Sequence, residues 1–305
     1  MAAAISILAC PSAPPETGEY PPEEPGRALP PAEDQSILDR IAGHLARGDF
    51  DGALALFDDI EVPEGEAGAI DLLKASVLIS AGKTAEAKAL VEAVSAREPR
   101  NMDALFVLST IEGAAGRERE QRAILEGIVK TDPAHVQSLN ALGVIALRAR
   151  SFRAAGSYFD RVLAVEAENG DALVGRAQVF RYEQKEREAE ALLDRAVSLY
   201  PQWSVPLSDR ARLYREAGHP NEALRDLDAA KALDSQDYWI AIDRGAVLLD
   251  LNKKPEALGE FSRAIDLDPD NFLAYVYSAG IKDDLGDYDG AEEDYAAMIR
   301  LKPEY

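Results

Sequence analysis

Apolar residues recur along most of this chain on a fixed long period. Shifted by 34 residues from Asp34 onward, the sequence falls on itself. Alanine stands at Ala53, Ala87, Ala155, Ala189, Ala223, Ala257 and Ala291, and only Gln121 breaks the series. Four places on, the grid reads Phe57, Val91, Leu125, Phe159, Leu193, Leu227, Phe261 and Tyr295. Three further, it reads Ile60, Val94, Ile128, Val162, Ala196, Ala230, Ala264 and Met298. Steps of four and three join neighbours on one helical face, so each period predicts an amphipathic helix.

A second stripe precedes it in every period, as in Leu139–Gly143–Ala146 and Leu173–Ala177–Phe180. Its middle member is small: Ala75, Ser109, Gly143, Ala177, Ala211, Gly245 and Ala279, with Ile41 the exception. A small residue there lets two helix backbones approach closely, and the large residue of the other stripe fills the space left. Turn formers such as Gly48-Asp49, Gly82-Lys83, Gly116, Gly218-His219-Pro220 and Gly286-Asp287 separate the two helices. Pro99, Pro133, Pro201, Pro269 and Pro303 close the second one.

Two helices, a tight turn and a closing proline on a 34-residue period resemble the tetratricopeptide repeat. Segments 257–269 (ALGEFSRAIDLDP) and 288–303 (YDGAEEDYAAMIRLKP) carry the resemblance most closely. It implies an all-α, right-handed α-solenoid over 34–305, with eight repeats starting at 34, 68, 102, 136, 170, 204, 238 and 272. Each repeat is expected to bury its stripes against its neighbours. The first is the weakest, with Ile41 at the small place and an altered close at Val62-Pro63-Glu64-Gly65; Asp71 and Gln121 also depart from the pattern. Arg176, Arg210 and Arg244 share one place in three periods, and acids follow two of them 16 residues on, at Asp226 and Glu260. An ion pair within one repeat is the expected use.

The N-terminus reads differently. Residues 11–33 hold eight of the 17 prolines and five glutamates, the composition of an extended tether. Before them stands the apolar stretch 1–10, ending at Cys10, the only cysteine. Apolar stretch, small Ala9, cysteine, linker and folded body in that order resemble a bacterial lipoprotein. The resemblance implies lipidation at Cys10 and a body on the periplasmic face of the cell envelope, with a cytoplasmic adaptor as the alternative. No Lys or Arg precedes the stretch, and it is short for a signal peptide.

The formal net charge of −22 disfavours nucleic acid and anionic membrane surfaces as main partners, leaving the membrane only a lipid anchor at Cys10. One cysteine and three widely separated histidines offer no metal-ligand spacing, and no cofactor motif occurs. Gly82-Lys83-Thr84 lacks the strand and the earlier glycine of a phosphate loop and falls on an inter-helix turn. No catalytic constellation emerges, so a non-enzymatic scaffold is expected.

In the family the first helices of the repeats line a concave groove that binds peptides or helices. Counting one step around from the buried stripe divides that wall into three zones. The first is apolar: Leu38, Leu72, Leu73, Ile79, Phe106 and Val107. The second, polar and basic, is the principal candidate for binding a partner through an acidic or carboxylate segment: Asn140, Arg148, Gln178, Arg181, Tyr182, Ser208, Arg212 and Arg215. Glu183 and Glu216 stand near enough in sequence to neutralise some of it. The third mixes Trp239, Ile242, Leu249 and Tyr277 with Asp243, Asp250, Asp283 and Asp284, and suits an amphipathic basic helix. A protein or peptide partner in this groove is the expected function. A transporter's ligand-binding subunit, with a closed cavity near Arg181 and Arg212, is the alternative. Such arrays commonly finish with a polar capping helix, and Glu292 and Glu293 make the last helix only partly polar.

Overall fold

The computed structural model describes residues 36–61 and 65–304. Cys10 and the Pro/Glu-rich segment 11–33 lie outside the described residues. The described residues are helical throughout, with no strand. The helices are α1 (Ile37–Ala46), α2 (Phe50–Ala55), α3 (Ala67–Ser80), α4 (Thr84–Arg97), α5 (Met102–Ala114), α6 (Glu118–Thr131), α7 (Val136–Arg148) and α8 (Phe152–Val165). They continue as α9 (Gly170–Tyr182), α10 (Glu186–Leu199), α11 (Ser204–Glu216), α12 (Pro220–Leu233), α13 (Tyr238–Asp250), α14 (Lys254–Leu267), α15 (Phe272–Leu285) and α16 (Tyr288–Leu301). The chain divides after Glu166 into two compact units, α1–α8 and α9–α16. Each is a run of helix-turn-helix repeats of the α-solenoid type. Odd-numbered first helices pack on the even-numbered second helix of their own repeat, and each second helix packs on the next first helix within its unit.

Every turn inside a repeat is closed by a residue with positive φ at the same place in the period. Five are Gly48, Gly82, Gly116, Gly218 and Gly286, but Arg150, Gln184 and Asn252 adopt the same left-handed conformation. Many first helices begin on a side-chain cap: Asn101, Asn169 and Asn271 accept the backbone N–H of Ala104, Ala172 and Ala274 at 3.0–3.2 Å.

The core is a row of small-against-large contacts between paired helices. A methyl group built on Gly143 would stand 2.6 Å from the Phe159 ring, and one on Gly245 would stand 2.7 Å from the Phe261 ring. Where the large place holds leucine, as at Leu193 and Leu227, the small place holds alanine, Ala177 and Ala211, and all four are buried. Gln121 is accommodated by the same economy of volume. Its amide lies against Gly113, where a Cβ would meet it at 2.5 Å. The first repeat puts Ile41 and Phe57 together in one buried cluster, two large residues where the other repeats pair small with large. There the second helix gives way after Ala55 to a 3-10 turn, Leu56–Asp59.

Two of the arginines at the repeated place bond an acid of their own repeat and one of the repeat before it. Arg210 bonds Asp226 through Nε and Nη2 at 2.7 and 2.8 Å and reaches Asp194. Arg244 bonds Glu260 at 2.6 Å and Asp228 at 2.8 Å. Arg176 instead lies over the Phe180 ring at 3.9 Å. Asp71 pairs with Arg97, and the turn residue Lys83 pairs with Asp51 at 2.7 Å.

Candidate functional site

The first helices of the second unit, α9, α11, α13 and α15, carry polar side chains on a common face, and two rows of contacts tie three of them together. In one row, Gln178 on α9 donates to Asp209 on α11 at 2.9 Å, and Arg212 on α11 bonds Asp243 on α13 at 2.7 Å. Arg212 also reaches back to Asp209 at 3.2 Å. In the other, Arg181 on α9 bonds Glu216 on α11, and Arg215 on α11 bonds Asp250 on α13 at 2.5 Å. The first row joins residues 31 apart and the second joins residues 35 apart. Those steps are one period less three and one period plus one, so helix periodicity alone repeats the contact from one repeat to the next.

Burial sets the electrostatics. Asp209 is almost wholly buried, and the Arg212 guanidinium is part-buried above it. Desolvation holds the Asp243 carboxyl above its ordinary range, against the pull of Arg212. The balance for Arg212 falls the other way: burial works against its charge, but Asp209 and Asp243 outweigh it and raise its pKa. Asp171, in the first turn of α9, is raised by burial. The Ser208 hydroxyl and Arg181 Nε are buried atoms with no hydrogen-bond partner.

The sequence agrees with this architecture. The profile of the tetratricopeptide repeat family matches residues 72–136, 140–202, 208–271 and 242–305, more than half the chain. The chain belongs to the tetratricopeptide repeat family. Similar folds occur in a tetratricopeptide repeat protein from Parabacteroides merdae (17% identity, 79% of this chain and 96% of that one, TM-score 0.61) and in PilF of Pseudomonas aeruginosa (17%, 68% and 96%, 0.57). The APC/C hetero-tetramer Cut9-Hcn1 also shares the fold (14%, 80% of this chain and 48% of that one, 0.68). No curated protein matches the chain in sequence.

The tetratricopeptide wall differs from the one drawn by counting around the helix. Leu72, Leu73 and Val107 are buried core residues rather than groove lining, as is Ile242. A first helix packs against its own second helix and also against the neighbouring first helix, as α3 does with α5, so its buried arc is wider than one stripe. Leu38 and Ile79 are half-buried against the clusters that hold Leu72, Leu73 and Val107, and Phe106 against Leu125, Leu142 and Ile145, its ring 5.9 Å from that of His135. In the basic set, Asn140 and Arg148 belong to the first unit and the rest to the second. Asn140 is half-buried, Arg148 and Tyr182 are exposed, and Ser208 is buried. Arg181, Arg212 and Arg215 each face a carboxylate of the protein. Of the two acids picked out near them, Glu216 takes Arg181, whereas Glu183 pairs with Lys185 at 2.6 Å.

In the third zone, Trp239 is 45% exposed, its ring 5.0 Å from that of Tyr238. Tyr277 stacks on Phe261 at 4.7 Å, and Asp283 accepts the Tyr295 hydroxyl at 2.6 Å. Leu273, the counterpart of Trp239 one period on, is also exposed and was missed in the sequence reading. Among the described residues no group of three or more His, Cys, Asp or Glu side chains is placed to hold a metal ion. No helix among them is long and apolar enough to cross a membrane.

Proposed function

We propose that this tetratricopeptide protein is a non-enzymatic scaffold that binds a peptide or protein segment on the first-helix wall of its second unit. The observation that supports this most directly is Trp239, a large aromatic held exposed on that wall beside half-buried charges. Rigid aromatic anchors among pre-ordered polar groups are what peptide recognition uses. The alternative, a transporter's ligand-binding subunit, needs donors free to face a closed cavity beside Arg181 and Arg212. Arg212 spends its donors on Asp209 and Asp243, and Arg181 bonds Glu216 through Nη1 while its buried Nε has no partner.

Photo-crosslinking from single positions tests the reading. A crosslinker at 239 or 182 should capture the same partner in cells, and one at the exposed second-helix position Arg225 should not. Equal capture from all three positions refutes a wall-specific site.

A lipid anchor at Cys10 completes the proposal: the 11–33 tether would hold the solenoid off the bacterial envelope, on its periplasmic face. Metabolic labelling with an alkynyl fatty acid should tag the chain and fail on Cys10→Ser. An unmodified Met1 in the native protein overturns it.

A further inference from the structure

The two rows of cross-helix contacts stop at α13, and the way they stop identifies a partner chemistry. Arg181 and Arg215 occupy one place in successive periods, each reaching forward to an acid on the next first helix. The next residue in that series is Leu249, while its acceptor, Asp284 on α15, is retained. In the other row Gln178 and Arg212 are followed by buried Ala246, which donates nothing. Asp284 is bonded from the other side by Lys254 at 2.9 Å and stays 56% exposed. Its neighbour Asp283 takes only the neutral Tyr295 hydroxyl. Here Arg181 and Arg215 on the wall, and Lys254 reaching in from α14, are each answered by one carboxylate and Arg212 by two, which with Asp283 leaves negative charge in excess.

The same two helices supply an apolar anchor at their other end. Trp239 and Leu273, at the same place in consecutive periods, are 45% and 39% exposed. Eleven residues separate Trp239 from Asp250, and Leu273 from Asp284. At 1.5 Å per helical residue that is about 16 Å. Between the two ends stands Gly280, exposed, with nothing within 4 Å of the place its Cβ would take, so the path is open at that point.

We infer that the α13–α15 face binds a basic polypeptide segment, with a large apolar side chain seated against Trp239 and Leu273 and Lys or Arg side chains, about 16 Å away, against Asp283 and Asp284. An extended chain covers that span in about five residues. The incoming cation does for Asp284 what Arg181 and Arg215 do for Glu216 and Asp250. This deepens the scaffold reading, on which it rests, and it selects a cationic segment over an acidic one. An acidic ligand would have to displace carboxylates already bonded to the arginines.

The test uses the full chain and synthetic peptides carrying one leucine and, five residues on, two lysines. Counterparts carry two glutamates, or a spacing of one or ten residues. Emission from Trp239 reports binding, because Trp203 is buried. The five-residue basic peptide should bind at least tenfold more tightly than the acidic one and more tightly than either spacing variant. Asp283→Asn/Asp284→Asn should weaken it at least fivefold. Asp51→Asn/Asp58→Asn, the same charge change in the first unit, should leave it within twofold. Equal affinity for the acidic peptide, indifference to spacing, or equal loss in the control pair overturns the inference. Crosslinking from position 239 would still stand or fall by itself, so the two failures are distinguishable. Circular dichroism of each variant confirms that the fold is kept.

Discussion

The small-against-large rule makes a quantitative prediction at Gly143 and Phe159. In Gly143→Ala the new methyl falls 2.6 Å from the ring of Phe159, itself fully buried. Overpacking of this kind costs about 1–3 kcal/mol, offset by about 1 kcal/mol because alanine is the better helix former. The expected net loss is roughly 0–2 kcal/mol. Phe159→Leu alone removes buried apolar surface and leaves a space above Gly143, a loss of about 1–1.5 kcal/mol. Together the substitutions create the Ala/Leu pair that Ala177/Leu193 and Ala211/Leu227 already use, buried in both cases. The double variant should therefore lie within about 0.5 kcal/mol of wild type, with a coupling of about 2 kcal/mol between the sites. Equilibrium urea unfolding of the four proteins, with a common m-value, measures it. Additive losses would refute the pairing and with it the contact that defines the repeat.

Three further perturbations test other parts of the architecture. Gln184 sits at φ 59°, where glycine pays no side-chain penalty, so Gln184→Gly should stabilise by about 1 kcal/mol, and Asn252→Gly by less because asparagine tolerates this region; a drop in melting temperature for Gln184→Gly counts against it. Asp171 is held above the ordinary carboxylate range by burial, so the native chain keeps its proton to higher pH than the unfolded chain, and the side chain's cost is absent at acid pH and appears as pH rises through that window. Asp171→Asn should accordingly raise the melting temperature at pH 7 and do so less as pH falls; a pH-independent shift refutes the assignment. Arg212→Met strips the counter-charge from buried Asp209 and part-buried Asp243 and should cost about 2–4 kcal/mol by thermal denaturation, whereas a loss below about 0.5 kcal/mol would show that the pairing contributes nothing.

Most of the fold was legible because a solenoid writes the same contact repeatedly. Ala53 or Ala87 alone signals little, but the same class at one place in the period signals a packed interface. The ion pairs of Arg210 and Arg244 followed from the same spacing, since residues 16 apart in this period face each other across one turn. The wall was less legible. Counting one step around the helix placed Leu72, Leu73 and Val107 in solvent, but they meet two neighbours and are buried. Of the carboxylates that answer the second-zone arginines, sequence proximity pointed only to Glu216. Asp209, Asp243 and Asp250 stand at 31 or 35 residues from their donors, near but not on the 34-residue grid, because contacts between successive first helices lean across the helix axis. A search at those offsets finds them.

Those leaning contacts also explain why so much charge is placed where a ligand is expected. An exposed ion pair adds little stability, so Arg181–Glu216 and Arg215–Asp250 are poorly accounted for as fold stabilisers. Each bridges two consecutive first helices and fixes their separation and slide. A wall held this way has already met part of the ordering cost that binding would otherwise carry. The arginines are then the frame of the site and not its recognition surface. On the proposed reading, recognition falls to the side chains that no cation of the frame answers: Trp239, Leu273, Asp283 and the exposed side of Asp284.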